Sequence, residues 1–417
     1  GCFILWPLWL ESHPIPMKIL IVTDMFPDEY EPASGVFVYE LTKALSHKNE
    51  AVVIHPRLWN PMGLLASFAK KRGAGGSSDG KGRYNRTANG IEVYRPKLFV
   101  LPKGDRLFFR AFAFFFAALP VVKRLQRKYP FDLIHAHMAC PAGFAAVLLG
   151  MVCGRPVIIT AHGSDVHTFP QNFFLRRLVL FAMKRAHKVA TVSFALKGLI
   201  EKMAPLQKDI SVIRNGVRED AFFPLGRTKC RERLGLPVGR KTILFVGNLL
   251  PVKGVDSLLR AFVTVGKSNQ SDLIIIGKGE SAPELKVLTK TLGIEASVYF
   301  VGTVSHDVIP LWLNACDVLC LPSHREGFPT IIVEAFACGR PVVATRVGGV
   351  PEAVINDSLG ILIDSNQPDV LAAALNTALA KEWNSRDIAA YGRRFSWRAI
   401  AEEYQRLYEE MPGNLRH

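Results

Sequence analysis

Ten short runs rich in Val, Ile and Leu punctuate this chain, and they limit its fold more than any other feature. Five lie in the first half: KILIVTD (18–24), AVVIHP (51–56), DLIHAH (132–137), PVIITAH (156–162) and KVATVS (188–193). Five follow in the second: KTILFVG (241–247), DLIIIG (272–277), SVYFVG (297–302), DVLCLP (317–322) and PVVAT (341–345). The runs are continuous rather than alternating, as in strands buried on both faces, and helix-patterned stretches between them supply crossovers. At 417 residues the chain exceeds what a single core supports. The prediction is an α/β protein of two Rossmann-like, doubly wound parallel-sheet domains.

The boundary falls near 205–225, ahead of a segment (214–241) with two Asn/Gly/Pro-rich patches around a charged middle. Domain one then spans 17–210 and domain two 211–390, with a C-terminal helix in 391–417 expected to pack back toward domain one. Residues 1–16 hold an apolar stretch too short to span a bilayer, and Met17 opens MKILIVTDMFP. We therefore expect 1–16 to be a non-native or flexible extension. The Gly/Ser-rich, basic KKRGAGGSSDGKGR (70–83) reads as a mobile surface loop.

Charge is lopsided. Residues 1–218 carry 30 Lys and Arg against 14 Asp and Glu, whereas the remainder carries 22 of each. Such asymmetry suits a domain that faces a phospholipid surface, a phosphorylated acceptor or nucleic acid, or serves solubility alone. No nucleic-acid recognition module accompanies it. Seven scattered cysteines form no Cys-x-x-Cys pair and no zinc spacing, as expected of buried thiols in a reducing, cytoplasmic compartment. Residues 107–128, LFFRAFAFFFAALPVVKRLQRK, join aromatic residues to flanking cations and fit either an interfacial helix or a buried one.

Chemistry concentrates after the run DVLCLP. In HREGFPTIIVEAFACGRPVVATRVGGVPE (324–352), Pro329 suits a first helical turn and Gly339 a helix end. Glu326 then lies in the loop ahead of the helix and Glu334 just over one turn inside it, at the carboxyl end of a strand, where α/β sheets bind ligands. Free amides at Gly327, Phe328, Thr330 and Ile331 could hold a pyrophosphate. Two carboxylates eight positions apart could each accept hydroxyl hydrogen bonds from a sugar and a ribose. IIIGKGE (274–280) stops short of a full dinucleotide fingerprint, which disfavours a nicotinamide dehydrogenase. Gly35 precedes a helix start, where a glycine lets backbone approach a phosphate closely.

Together EGFPT, VEA and GRPVVAT resemble the family 4 retaining glycosyltransferases of two-domain GT-B fold, whose two sheets face each other across a cleft. The resemblance spans Met17 to about Tyr408, and FPDEYEPASGVFVYE and TAHGSDV bring it nearest to the TuaC-like enzymes of bacterial cell-surface polysaccharide synthesis. It implies that Glu334 binds the ribose and Glu326 the donor sugar, with Phe328, Pro329 and Thr330 beside sugar and phosphate. In VGNLLPVKG, Lys253 matches the phosphate clamp, but Asn248 stands where arginine is common. Asn248 donates a neutral hydrogen bond there, or Arg346 or Arg325 supplies the charge. His162 would lie by the donor sugar, with Gly277, Gly279 and Val304 near the nucleobase and Asp165 on the acceptor side, while His135 and His137 in IHAHMACPAG read as strand-end packing or acceptor-side contacts. His162, Glu326 and Lys253 become the catalytic candidates.

The function so implied is transfer from a UDP- or GDP-linked sugar to a lipid-linked or polysaccharide acceptor, at the cytoplasmic face of the membrane. The basic first domain would touch anionic lipid. No metal and no cofactor beyond the nucleotide-diphosphate sugar is expected, and no nucleic acid. The competing readings are a sugar-nucleotide isomerase of the UDP-sugar 2-epimerase kind and a non-catalytic sugar-nucleotide-binding protein.

Overall fold

The computed structural model describes residues 16–28, 31, 34–59, 84–86, 90–99, 107–203 and 205–411. The expected extension at 1–16, apart from Pro16, and the loop at 70–83 lie outside them. Two large sheets form, beside a small parallel pair of Arg57–Trp59 with Lys97–Phe99. Across the first, the strands run Ile210–Val212, Lys188–Thr191, Val157–Ala161, Leu133–His137, Lys18–Thr23, Glu50–Ile54, Glu92–Tyr94 and Tyr84–Arg86. All pair in parallel except the last, which is antiparallel to its neighbour. The second sheet is wholly parallel, in the order Val298–Gly302, Ser271–Ile276, Lys241–Val246, Val318–Leu321, Val342–Thr345 and Gly360–Ile363.

Period-two geometry splits each run between two helical layers. From Lys18–Thr23, Leu20 and Val22 join helices Leu107–Lys128, Phe144–Cys153 and Phe173–Arg185 on one face. Ile19 and Ile21 point the other way, into a core shared with helices Val36–Leu45 and Trp397–Glu409. That second helix supplies Trp397, Ile400, Tyr404, Leu407 and Tyr408, so a helix beyond the second domain closes the core that strand Lys18–Thr23 opens. The six described cysteines are free, and five are buried.

The chain crosses between the domains twice, and the crossings pair. Val217 donates its N–H to the Phe395 carbonyl at 2.6 Å, while Trp397 donates back to Val217 at 3.3 Å. Arg218 beside this junction meets Asp307 of the second domain at 2.8 Å and Glu40 of the first at 3.5 Å. Among the described residues no helix is long and apolar enough to cross a membrane. Helix Leu107–Lys128 is buried along one side and exposed along the other: Ala111, Phe114, Ala118, Val122 and Leu125 are buried, while Phe109 and Phe116 face outward.

Candidate active site

Between the carboxyl ends of the two sheets lies a cleft of about 690 Å³, a size that suits a ligand of nucleotide-sugar dimensions. In each sheet it opens where strand order reverses, beside Lys18–Thr23 and beside Lys241–Val246. Gly35 and His162 line it from the first domain. Asn248, Lys253, Gly277, Val304, Glu326, Gly327, Phe328, Pro329, Thr330 and Glu334 line it from the second. Gly279 does not; it packs on the Leu249 backbone.

The two carboxylates bracket the start of helix Thr330–Ala337, which no side chain caps. Pro329 stands at the N-cap with ψ 105°, one position before the first turn assigned to it from sequence. Its extended backbone aims the following amides outward. Phe328 approaches the cleft from a buried position, its ring 5.9 Å from that of Phe395. Glu326 Oε1 accepts from Lys253 Nζ at 2.7 Å and from the Ser323 hydroxyl at 2.6 Å. Glu334 meets His306 Nε2 at 2.8 Å, a partner the sequence reading missed. Burial pulls the His306 pKa down, but the charge and hydrogen bond of Glu334 outweigh it and hold the imidazole above its ordinary value.

Behind the first-domain wall stands a column of histidines. His162 Nε2 lies 3.1 Å from His137 Nδ1, and the rings stack at 5.3 Å. His135 continues the column, bonded to the Tyr408 hydroxyl at 2.7 Å and to Thr160 Oγ1 at 2.8 Å. Burial pushes His135 and His162 down to about 3 and His137 well below its usual range, so His162 offers the cleft a neutral imidazole. Two placements need correction. Asp165 and, in one of its two readings, His137 are expected on the acceptor side, yet both are fully buried and neither lines the cleft, so His137 takes the other reading, strand-end packing. Asp165 accepts from the N–H groups of Ala139 (2.9 Å), Gly163 (2.9 Å) and His162 (3.2 Å), so its carboxylate is spent on holding two loops. That leaves it no free lone pair directed at a substrate.

A second correction concerns charge. Arg346 pairs with Asp364 at 2.7 Å on the surface, and neither it nor Arg325 lines the cleft. The cation that stands there with Lys253 is Lys278, between Gly277 and Gly279. Asn248 therefore shares the cleft with a lysine carried by the neighbouring strand end.

Glycines let the walls close. A Cβ on Gly327 would lie 2.2 Å from the His162 carbonyl oxygen, so the two domains touch backbone to backbone. Gly35 has φ 64°, and a Cβ there would sit 2.4 Å from the Met25 carbonyl carbon and oxygen. Gly154 shares the left-handed conformation with nothing within 4 Å. Gly154→Ala is thus expected to cost about 1 kcal/mol in urea unfolding and Gly35→Ala about 3 kcal/mol. Equal losses would mean that the Met25 contact carries no cost.

A pair of facing parallel-sheet domains with this cleft defines the class, that of the two-domain GT-B glycosyltransferases. The sucrose-phosphate synthase of Thermosynechococcus elongatus superimposes with a TM-score of 0.76 at 20% identity, covering 95% of this chain and 98% of its own. Anabaena HepE, solved with UDP and glucose, gives 0.72 at 23% identity over 95% and 100%. Residues 34–221 match the model for glycosyltransferase family 4, and residues 226–395 that for glycosyl transferases group 1. The Bacillus subtilis protein TuaC, named for a glycosyltransferase of teichuronic acid biosynthesis, is 31% identical over 366 residues, 86% of this chain and 88% of TuaC. The chain belongs to glycosyltransferase family 4 and is a glycosyltransferase.

Proposed function

We propose that the cleft binds a nucleotide-diphosphate sugar and transfers its sugar, with retention of configuration, to a lipid-linked or polysaccharide precursor of a bacterial cell-surface glycan. The carrying observation is the placement of Glu326 and Glu334 on either side of an uncapped helix start. One carboxylate is held by Lys253 and the other by His306. In this reading the helix amides receive the diphosphate, Glu334 the ribose hydroxyls and Glu326 the sugar hydroxyls, which take over the hydrogen bonds now made by Lys253. Lys253, freed by that exchange, turns to the phosphates together with Lys278 and the backbone at Gly35. His162, neutral, accepts or donates one hydrogen bond at the sugar.

The acceptor oxygen attacks the anomeric carbon on the face from which the phosphate leaves. As that bond forms, the bond from the anomeric carbon to the phosphate oxygen breaks, and the acceptor proton departs with the diphosphate. Stabilisation of the departing charge by Lys253, Lys278 and fixed amides is the main catalytic contribution. The reading calls for no metal and no cofactor. The enzyme would work at the cytoplasmic face of the membrane, with its basic first domain toward anionic lipid.

Thermal-shift measurements with UDP-, GDP- and ADP-sugars test the reading. A donor present at about 100 times its Kd raises stability by about 2.7 kcal/mol by mass action. A protein that responds to none of them has another ligand. A changed nucleotide sugar formed without any acceptor would mark an isomerase instead.

A further inference from the structure

We propose that one face of the first domain, built from helices Leu107–Lys128, Phe144–Cys153 and Phe173–Arg185, docks on an anionic bilayer and turns the mouth of the cleft toward the lipid. The three helices pack side by side on one side of the first sheet. None contains a single Asp or Glu. Eight of their cations are exposed: Lys123, Arg124, Arg127 and Lys128 on the first helix, and Arg176, Arg177, Lys184 and Arg185 on the third. Among the described residues no carboxylate pairs with any of these eight. Surface cations of a soluble face are ordinarily interspersed with acids, so a run of this length without one needs a cause.

Apolar side chains emerge on the same helices, at the start of the first and third and midway along the first, while six of the eight cations lie toward the other ends. Phe109, Phe116, Phe173 and Phe174 are each more than half exposed, at 57%, 65%, 61% and 59%. Phe108 links the first and third helices, with ring centroids 5.4 Å from Phe109 and 5.7 Å from Phe174, and Phe173 lies 5.6 Å from Phe174. Arg177 caps the cluster 4.4 Å from the Phe173 ring. The rings of Phe108, Phe109, Phe173 and Phe174, held together with the Arg177 guanidinium beside them, match the chemistry of a headgroup boundary, where aromatics enter the acyl edge and cations meet phosphates. A second copy of the chain fits poorly, because two such faces would oppose eight like charges each.

Topology gives the orientation. Crossover helices in a parallel sheet begin at the carboxyl ends of the strands, so Phe108, Phe109, Phe173 and Phe174, all in first turns, lie at the edge where the cleft opens. Docking through them would bring a membrane-borne acceptor to the first-domain side of the cleft. That consequence, though not the docking itself, rests on the transferase reading above.

Co-sedimentation of the full chain with vesicles tests the surface. Vesicles of phosphatidylcholine alone are compared with vesicles holding about 30% phosphatidylglycerol, at low and high salt. The wild type is expected to bind the anionic vesicles and to be released by salt. Both a Phe109→Ser/Phe173→Ser/Phe174→Ser variant and an Arg176→Ser/Arg177→Ser variant should lose at least about tenfold in partitioning. Each should keep the wild-type thermal shift with a donor sugar, which shows that the fold survives. Undiminished binding by both variants would place the membrane contact elsewhere in the chain and overturn the proposal, as would equal binding to both vesicle types. Capture of short RNA in preference to anionic vesicles would overturn it too. A wild type that binds vesicles but no nucleotide sugar would refute the transferase reading and leave the docking surface standing.

Discussion

Replacing Glu326 with alanine is expected to lower kcat for sugar transfer by about a thousandfold while the protein stays folded. Glu326 is 8% exposed and sits where Lys253 and Ser323 both reach one carboxylate oxygen. In the proposed reading its removal takes away the acceptor for sugar hydroxyls, and it also removes the carboxylate that holds Lys253. Lys253 keeps partial access to water, with 23% of its side chain exposed, so the uncompensated ammonium stays hydrated and the melting temperature should move by only a few degrees. Glu326→Gln keeps the shape and one acceptor oxygen and should fall between the two. Single-turnover kinetics beside a thermal melt make the comparison, and wild-type turnover in the alanine variant would remove Glu326 from the chemistry.

The second large effect is acid lability. His135 and His162 titrate near 3 in the folded protein and His137 lower than usual, each chiefly because burial strips hydration from the charged ring. In the unfolded chain all three bind protons near pH 6.5. Folded values below unfolded ones mean that stability is whole above about pH 6.5 and falls as the pH drops toward 3. Three protons correspond to a slope of about 4 kcal/mol per pH unit. Other shifted groups act in both directions: burial lowers His55 to about 4 and also lowers His167 and His187, which adds to the loss, while burial raises the Asp24 carboxyl to about 6 and also raises Asp165, Glu40 and Glu403, which opposes it. Since domains hold only about 5–15 kcal/mol in total, unfolding should begin within about two units below neutrality. Urea midpoints between pH 7 and 5 measure the slope. His135→Gln, which can keep a bond to Tyr408 or Thr160, should make it about one third shallower. An unchanged slope would mean that the column does not titrate as a buried unit.

Much of this architecture was written locally and could be read locally. Each Val/Ile/Leu run became a parallel strand, because a sheet buried on both faces leaves its mark on consecutive residues. Glu326, Pro329 and Glu334 were legible for the same reason, since one loop and one helix turn set their geometry. What escaped was set by contacts between elements. His306 reaches Glu334 from 28 residues away, and nothing in TVSH marks the ring as turned inward. Asp165 looked like a cleft residue because TAHGSD ends a strand, yet backbone amides on two loops claimed its oxygens. Lys278 is a lone lysine between two glycines past the strand Ser271–Ile276, and only the packing of the two domains places it in the cleft. The exposed phenylalanines were visible as a composition, but only packing showed which of them the core did not need.

The return of the last helix has a meaning for synthesis. Translation delivers Lys18–Thr23 first, but the face carrying Ile19 and Ile21 is completed by Trp397, Tyr404 and Tyr408. The second domain holds none of its own strands hostage in this way and can fold as soon as it emerges. The first domain therefore keeps an open apolar flank until the second has been made. A nascent chain of this design calls for chaperone cover over its N-terminal half, and one that stalls before Trp397 should be cleared rather than used.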